Sequence, residues 1–314
     1  MFRFAGFAGA LALIFTLVAP GPAPAQTTRY DIMDNQGFAA PMVAYTVEVP
    51  QGWATSGQVL WAKPCSGNDN FELVFQAIAP DGRTGFRIMP GHQVIWLDMQ
   101  VAGLAPDMAQ MMRAQMAAER NKMQTRFRGS NCHVAQVTGT RQLFDELILA
   151  HRPADARILQ SARNQPMLQS YASVFQADQP GMKTFYDAAT VRLGYGLNGQ
   201  PVEEVVLFSW YMFQLEPPEP GFGTFSQQTV VDSIRTAWVA PERRAADDAM
   251  LEAIIGSMKV NPDWNAKVNA FVQKQSSERQ AANAQTAAER ERQRQMDEAR
   301  RDAQHQQFID MIRQ

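Results

Sequence analysis

The residue types that most often carry catalysis are spread along this chain without a recognisable catalytic pattern. There is no G-x-S-x-G nucleophile elbow, H-E-x-x-H helix, P-loop or dinucleotide-binding glycine fingerprint. Its histidines stand far apart in the sequence: His92, His133, His151 and His305. Neighbouring carboxylates, as in Glu203-Glu204 and Asp145-Glu146, point in different directions and are not predicted to share a proton. We therefore expect a non-enzymatic protein with no catalytic residue, cofactor or metal ligand.

Methionines form a stripe in the first long predicted helix, residues 106–127. Pro106 suits the first turn of a helix, and Gly129 suits the cap that ends one. The stripe contains Met108, Met112, Met116 and Met123, with Met111 beside it. Methionine at helical spacing is typical of a face that packs against a sheet, which is our expectation here. The alternative is a methionine-rich Cu(I) binder, because thioethers are soft-metal ligands.

The chain has two cysteines, Cys65 and Cys132. In an oxidising compartment an even pair is most simply a structural disulfide. The loop that it closes is long, so the entropic stabilisation would be about 4 kcal/mol. Two free buried thiols and a ligand pair remain alternatives, although neither cysteine has the C-x-x-C spacing of a zinc or redox site.

The first 25 residues have the pattern of a secretory signal peptide. A basic start at Arg3 precedes an apolar segment, Phe4–Val18, and an A-x-A sequence ends at Ala25. An uncleaved anchor is the alternative, but the apolar segment is shorter than the roughly 20 residues that cross a bilayer. We expect an exported protein, periplasmic or extracellular, with no stable membrane span after cleavage. A formal net charge of −2 at pH 7 argues against a nucleic-acid partner.

Two apolar runs joined by Asn198-Gly199 predict the centre of the fold. The runs are Phe185–Leu197 and Val202–Leu215. Asn-Gly is the strongest short hairpin signal because both residues tolerate positive φ. The second run is apolar on both alternating faces, which favours a central strand covered on both sides.

The rest of the chain predicts an α+β domain at residues 42–258, with a mostly antiparallel sheet flanked by helices. Residues 26–41 show no sustained period and are expected to form a flexible N-terminal arm. Further predicted elements are strands at 42–49, 59–62, 71–79, 84–89, 133–140, 168–175 and 237–240 and helices at 143–150 and 241–257.

A proline-rich stretch, Glu216–Gly223, interrupts the apolar runs and predicts an exposed loop. A stiff connector is the simpler interpretation. The alternative is that a cleft beside Pro217–Gly223 makes the protein a periplasmic enzyme or a small-ligand carrier.

Residues 259–314 are predicted to form a long polar helix. Asn261 suits its N-cap and Pro262 its first turn. Continued from Trp264, the heptad seam carries mostly Gln, Glu, Ala and Arg, which is too polar for a strong coiled coil. A poorly packed helix is the first expectation; a helix that contacts an unknown envelope protein, or weakly a second copy, is the alternative. The apolar end, Phe308–Ile312, offers a docking segment.

Two stretches resemble known families. Val47–Trp53, together with the Pro80-Asp81-Gly82 turn, resembles the opening of PsbP-like domains, and this resemblance implies an α/β/α sandwich with an accessory or assembly role. The stretch from Ala240-Pro241 to Trp264, with its S-x-x-x-N-P-x-W pattern, is similar to exported bacterial proteins of unassigned function. Neither resemblance supplies a catalytic residue. We therefore expect a binding or scaffold module of the cell envelope.

The predicted disulfide has a direct test in the intact mass of the mature protein before and after reduction. We expect no alkylatable thiol without reductant and two after reduction, because Cys65 and Cys132 would be joined. Two alkylated thiols in the unreduced protein would exclude the bridge.

Overall fold

The fold is taken from a computed structural model, which describes residues 26–61, 71–175, 178, 181–217 and 219–312. For Ser233 and residues 302–312 it describes the backbone alone. The chain divides into two compact units, Met1–Lys259 and Val260–Gln314. The first contains a large sheet, and the second is mainly one helix. The predicted signal peptide, residues 1–25, lies outside the described residues.

Strands and helices alternate irregularly along the chain. The strands are β1 (Thr27–Asp34), β2 (Met42–Pro50), β3 (Ala54–Trp61), β4 (Phe71–Ile78), β5 (Gly85–Met89), β6 (His92–Val101), β7 (Cys132–Val134), β8 (Arg157–Arg163), β9 (Met182–Leu197), β10 (Gln200–Leu215), β11 (Phe222–Val239) and β12 (Lys259–Val260). The helices are α1 (Pro106–Arg126), α2 (Thr140–Leu147), α3 (Gln165–Val174), α4 (Arg244–Ser257) and α5 (Pro262–Ile312).

The sheet of the first unit runs in the order β2-β1-β3-β4-β5-β11-β10-β9-β8, with β6 beside β11 and β7 beside β6. Its pairs are antiparallel except for β1–β3 and β6–β7, which are parallel. The predicted mixed architecture with a mostly antiparallel sheet is therefore confirmed at this level. The parallel pairs were not predicted.

The central hairpin forms where the sequence predicts it. β9 pairs with β10 from Leu197–Gln200 to Met182–Leu215 without a register shift. Asn198 has φ 53° and Gly199 has φ 76°, the positive values that a primed two-residue turn requires. The turn therefore fixes the register of the longest ladder in the sheet.

Both faces of β10 are covered, as expected for a central strand. Val206 and Phe208 belong to a buried core that also contains Leu143 and Phe144 of α2. The opposite face carries Tyr211, whose ring meets Tyr171 of α3 at a centroid distance of 6.2 Å. The two helices thus lie on opposite sides of the same strand, and each buries one set of alternating side chains.

A second core lies under α4. Leu251 and Ile254 of this helix are buried together with Val47 of β2 and Phe75 of β4. Leu251 and Ile254 are one turn apart, so they share the helix face directed at the sheet. The predicted helix at 241–257 is confirmed, with its first residues, Pro241–Arg243, forming a 3₁₀ turn.

The predicted flexible arm at 26–41 is wrong for its first half, which forms β1. This strand pairs with β2 along its whole length, from Thr27–Pro50 to Asp34–Met42. Ile32 and Asp34 are buried on one face. The strand is hard to predict because burying a carboxylate such as Asp34 is unfavourable unless it has a hydrogen-bond donor. Here Trp61 Nε1 donates to Asp34 Oδ2 at 2.9 Å.

Two other strand predictions are wrong. Residues 168–175 belong to helix α3, because Asn164 caps its first turn by accepting a hydrogen bond from Met167 N at 3.1 Å and Pro166 occupies a favoured early position. The strand predicted at 133–140 ends at Val134, and α2 begins at Thr140. At α3 these local helix-starting signals prevailed over an apolar run.

The polar stretch after the proline-rich loop forms β11, although only 237–240 was predicted as strand. Its first half pairs with β6 and its second half with β5, both on the edge away from β10. Polar residues such as Gln227 and Thr229 are buried in this strand. Strands on both edges satisfy the backbone of this 18-residue strand. The buried Gln227 side chain accepts from Val137 N at 3.2 Å and donates to Gln214 Oε1 at 3.3 Å, whereas Thr229 Oγ1 has no hydrogen-bond partner among the described residues.

The packing face predicted from the methionine stripe is confirmed in part: Met112, Met116 and Met123 are half-buried, whereas Met108 and Met111 are not. Helix α1 buries only Ala109 among its residues, while Met108 and Met111 are 49% and 63% exposed. Met123, near the end of the helix, packs against a small cluster containing Cys132 and Val134. The helix contacts β6 and β7 at the margin of the sheet, so most of its circumference stays in water.

Candidate functional site

Strand pairing brings two of the scattered histidines together. The parallel pair β6–β7 places His133 opposite Val94, so that His133 comes beside His92. Nδ1 of His92 lies 2.9 Å from Nε2 of His133, and the ring centroids are 5.2 Å apart. Sequence spacing does not indicate this pair, because 41 residues separate its members.

The two imidazole rings meet nearly end to end. Their centroid separation exceeds the N···N distance by about two ring radii, so the nitrogens point at each other. One nitrogen then donates a proton and the other accepts it. A chelated metal ion would instead need both lone pairs to converge on a point beside the N···N line. The pair is therefore arranged for proton sharing.

Burial lowers the pKa of His133 below its usual range. The negative charge of Glu146 opposes this effect, and His151 adds to it. A second proton on the pair would also place two N–H groups face to face. His133 is consequently held neutral at pH 7. Among the described residues, no group of three or more His, Cys, Asp or Glu side chains is arranged to hold a metal ion.

A buried ion pair joins the 3₁₀ turn after α2 to the centre of the sheet. Arg152 donates to both carboxylate oxygens of Glu204, at 2.7 and 2.8 Å, and the two side chains are 10% and 2% exposed. Burial, and then the charge of Glu204, raises the pKa of Tyr195. The predicted separation of Glu203 from Glu204 holds, since Glu203 pairs instead with Arg244. Because each charge is already paired, the cluster ties elements together.

A second polar cluster forms at a β-bulge. The register of β10 and β11 shifts after Ser209, which leaves Asp232 as the extra residue. Ser209 donates to Asp232 Oδ1 at 2.9 Å, and the Tyr171 hydroxyl contacts both residues. Burial, and then the charge of Asp232, raises the pKa of Tyr171 far above its usual range. The phenol therefore stays protonated and anchors α3, which is the opposite of an activated base or nucleophile.

Aromatic rings surround this cluster. Phe175 lies 4.9 Å from Tyr211 and 5.8 Å from Tyr186, centroid to centroid, and Phe213 closes the group at 5.9 Å from Phe175. Burial, aided by Asp232, raises the pKa of Tyr211 to about 12. Trp210 and Tyr211 thus serve packing on opposite faces of β10.

The proline-rich loop is held more tightly than predicted. Gly221 N donates to Gln100 Oε1 at 3.1 Å, and Ala102 N donates to the carbonyl of Gly221 at 2.7 Å. Pro217 is buried, and a Cβ on Gly223 would come within 2.9 Å of it. The loop therefore folds onto the end of β6. Pro218 lies outside the described residues.

The predicted disulfide has one described member. Cys132 is 4% exposed and lies in β7 next to the histidine pair. Cys65 lies outside the described residues, so the bridge stays a prediction. The Cu(I) alternative also stays a prediction, and Met108 and Met111 are its most accessible thioethers.

Helix α5 is the largest exposed element of the chain. It begins at Pro262, where Asn261 Oδ1 accepts a hydrogen bond from Asp263 N at 3.0 Å, so the predicted cap is confirmed. Lys259 and Val260, which were predicted within the helix, form β12. The helix has 51 residues, a length of roughly 75 Å at 1.5 Å per residue. From Ser276 to Arg301 every residue except Asp297 is exposed.

Contacts within α5 are local and weak. Lys274 lies 3.8 Å from Glu278, and Gln293 donates to Asp297 at 3.2 Å. Such exposed pairs stabilise a helix by about 0.2–0.5 kcal/mol each. The side chains of the apolar end, Phe308–Ile312, lie outside the described set. α5 thus presents a long, exposed and polar side-chain surface over residues 276–301.

In the described part of the chain, no helix combines the length and the apolar character needed to cross a membrane.

No protein-family model and no curated protein matches the sequence. Among solved structures, the chain is similar to the solution structure of cyanobacterial PsbP (CyanoP) from Synechocystis sp. PCC 6803. The match covers 78% of this chain and 98% of that chain, with 12% identity and a TM-score of 0.22. This similarity is weak.

The histidine pair makes the stability of the protein depend on pH. His133 has a lower pKa in the folded chain than in the unfolded chain, so the unfolded state binds more protons as pH falls below about 6.5. The contribution of His133 to the free energy of unfolding is therefore fully present above pH 6.5. It is lost as the pH falls toward the lowered pKa of His133 in the folded chain. Urea unfolding at pH 7.5 and at pH 5.5 measures this loss as the difference between the two free energies of unfolding.

We expect the loss between those pH values to be smaller in His133→Gln than in the wild type. His305→Gln, a substitution in α5, is the matched control and should retain the wild-type loss. An equal loss in the wild type and in His133→Gln would contradict the arrangement of the pair.

Proposed function

We propose that the protein is a non-enzymatic binding or scaffold module of the cell envelope, exported by its leader and acting through α5. In this proposal the first unit is a PsbP-like sandwich that folds independently, and α5 contacts an envelope protein. The observation that carries the proposal is the exposure of residues 276–301 on all sides of one helix.

The stability of such a helix supports a partner. Tertiary packing of an apolar face supplies most of the stability of helices in proteins. Residues 276–301 are polar around the whole circumference, and their local pairs offer only a few tenths of a kcal/mol each. A partner that covers one side of the helix would supply the packing contacts that stabilise helices in folded proteins.

The composition of the helix indicates the chemistry of that partner. Its seam presents Gln275 and Glu278, then Glu289 and Arg292, in place of leucine or valine. Two copies would place these polar groups against each other, so self-association should be weak. A different protein whose surface offers hydrogen-bonding groups and charges complementary to these side chains fits better, because polar groups buried without partners cost free energy. Small residues such as Ala284 permit close approach.

The polar clusters of the first unit are consistent with this role. Arg152 and Glu204 neutralise each other, and Tyr171 is held protonated by burial and by Asp232. These groups cross-link the sheet to its helices and are already paired, so in the proposal the first unit contributes no reactive side chain from them.

The proposal is tested by capture of envelope proteins on the immobilised mature chain, residues 26–314, compared with a chain that ends at Gln273. The shorter chain keeps the apolar start of α5, Trp264–Phe271, and loses only the exposed part. We expect a discrete captured protein with the long chain and its loss, by tenfold or more, with the short one.

A point substitution shows whether capture requires the helical structure of α5 or only the presence of the segment. Ala287→Pro should abolish capture, because proline costs about 3 kcal/mol in a helix interior, whereas Ala287→Ser should retain it. Equal recovery with the full-length, shortened and proline-containing chains would remove α5 as the contact and with it the proposed function.

A further inference from the structure

A groove of about 270 Å³ lies where the turn after β4 meets the start of α4. It belongs entirely to the first unit and does not involve α5. Its lining comes from the segment before β3, the turn, and α4: Trp53, Ala79, Pro80, Asp81, Thr84, Arg243, Asp247 and Met250. Apolar and charged side chains therefore face the same small space.

Asp247 is the buried acceptor of the groove. Its side chain is 9% exposed, and Oδ2 carries both of its contacts: the Thr84 hydroxyl donates at 2.5 Å, and Arg243 Nε lies at 3.4 Å. Within the described part of the chain, Oδ1 makes no hydrogen bond, yet it is not sealed from solvent. A carboxylate with one fixed and one open oxygen is set to accept a hydrogen bond from a ligand.

Arg243 is the neighbouring donor. Its Nη2 pairs with Asp81 Oδ2 at 2.7 Å and donates to Thr84 Oγ1 at 3.0 Å. Asp81 is itself fixed, because its Oδ1 accepts a hydrogen bond from Arg83 N at 3.0 Å. The guanidinium is thus held by one end, and Nη1 has no partner among the described residues. The donor Arg243 and the acceptor Asp247 consequently lie side by side, and their hydrogen bonds to Asp81 and Thr84 fix their positions.

The other wall of the groove is apolar. Trp53 and Met250 are half-buried and pack against the core that contains Leu251 and Ile254. Pro80 adds a flat apolar edge. An indole at this position offers both apolar area and a fixed orientation to the face of a ring.

We infer that this groove binds a neutral, polyhydroxylated ligand, a single sugar ring. One hydroxyl of a vicinal diol would donate to Asp247 Oδ1, and the next would accept from Arg243 Nη1, while the C–H face of the ring lies on Trp53. The groove is lined by two carboxylates, Asp81 and Asp247, and one guanidinium, Arg243, which disfavours an anion. A neutral hydroxylated ligand can donate to Asp247 and accept from Arg243 at the same time, which a simple cation or anion cannot do. The volume is just below the roughly 300–1,000 Å³ of pockets for larger ligands, which limits the occupant to one ring.

The test is saturation-transfer NMR on the mature chain with named probes. Methyl α-D-glucopyranoside, methyl β-D-galactopyranoside and N-acetyl-D-glucosamine are the sugars; choline and inorganic phosphate are the charged controls. We expect at least one sugar to bind with a Kd of about 1 mM, as befits a small open groove, and to quench Trp53 fluorescence. The two charged probes should bind at least tenfold more weakly.

Arg243→Gln and Asp247→Asn should each weaken sugar binding by about tenfold, the loss typical of one charge-assisted hydrogen bond. Arg244→Gln is the matched control, because the adjacent arginine pairs with Glu203 and does not line the groove, and it should bind within twofold of wild type. If Arg243→Gln fails to fold, Arg243→Lys decides, since it keeps the positive charge but has no Nη1.

Several outcomes would overturn the inference. They are the absence of binding by every sugar, tighter binding of choline or phosphate than of any sugar, and equal weakening by Arg243→Gln and Arg244→Gln. None of these results bears on capture through α5, so the inference and the proposed function can fail independently.

Discussion

The rest of the structure depends on the register of the β9–β10–β11 ladder. A primed turn at Asn198-Gly199 starts this ladder, and a slip of one residue would exchange the two faces of every strand in it. Both faces of β10 carry specific partners: one meets α2, and the other presents Ser209 and Tyr211 to α3. Two positive-φ residues therefore determine which helix contacts which side of the sheet.

The same ladder explains why the polar clusters are structural. The bulge after Ser209 turns Asp232 toward Tyr171, and the register at Glu204 places its carboxylate within reach of Arg152. In each cluster the charges or hydroxyls satisfy one another. A buried polar group without a partner would cost about 1–3 kcal/mol, so these networks make wrong pairings unfavourable. The sheet and the helices packed on it are thereby held in one arrangement within the first unit.

Sequence patterns predicted the elements whose signals are local. The hairpin, α1, α4 and the cap at Asn261 all follow from a few adjacent residues. β1 and most of β11 were missed because the sheet buries polar residues in them. These residues interrupt the alternation of apolar and polar positions that predicts a strand. The histidine pair and the groove at Asp81 and Asp247 could not be predicted, since strand pairing and helix placement join positions far apart in the chain. The exposure of Met108 and Met111 in α1 could not be predicted either. Helical periodicity identifies an apolar face of a helix, but it does not show which other element packs on that face.

The central claim is that the first unit is rigid, whereas residues 276–301 of α5 are exposed and the contacts described for them are local pairs along the helix. Hydrogen exchange of the purified mature chain tests this claim most directly. Amides of β9 and β10 should exchange only through global unfolding, and those of Ser276–Arg301 should exchange orders of magnitude faster. Protection of Ser276–Arg301 equal to that of β10, in the absence of any partner, would contradict the account.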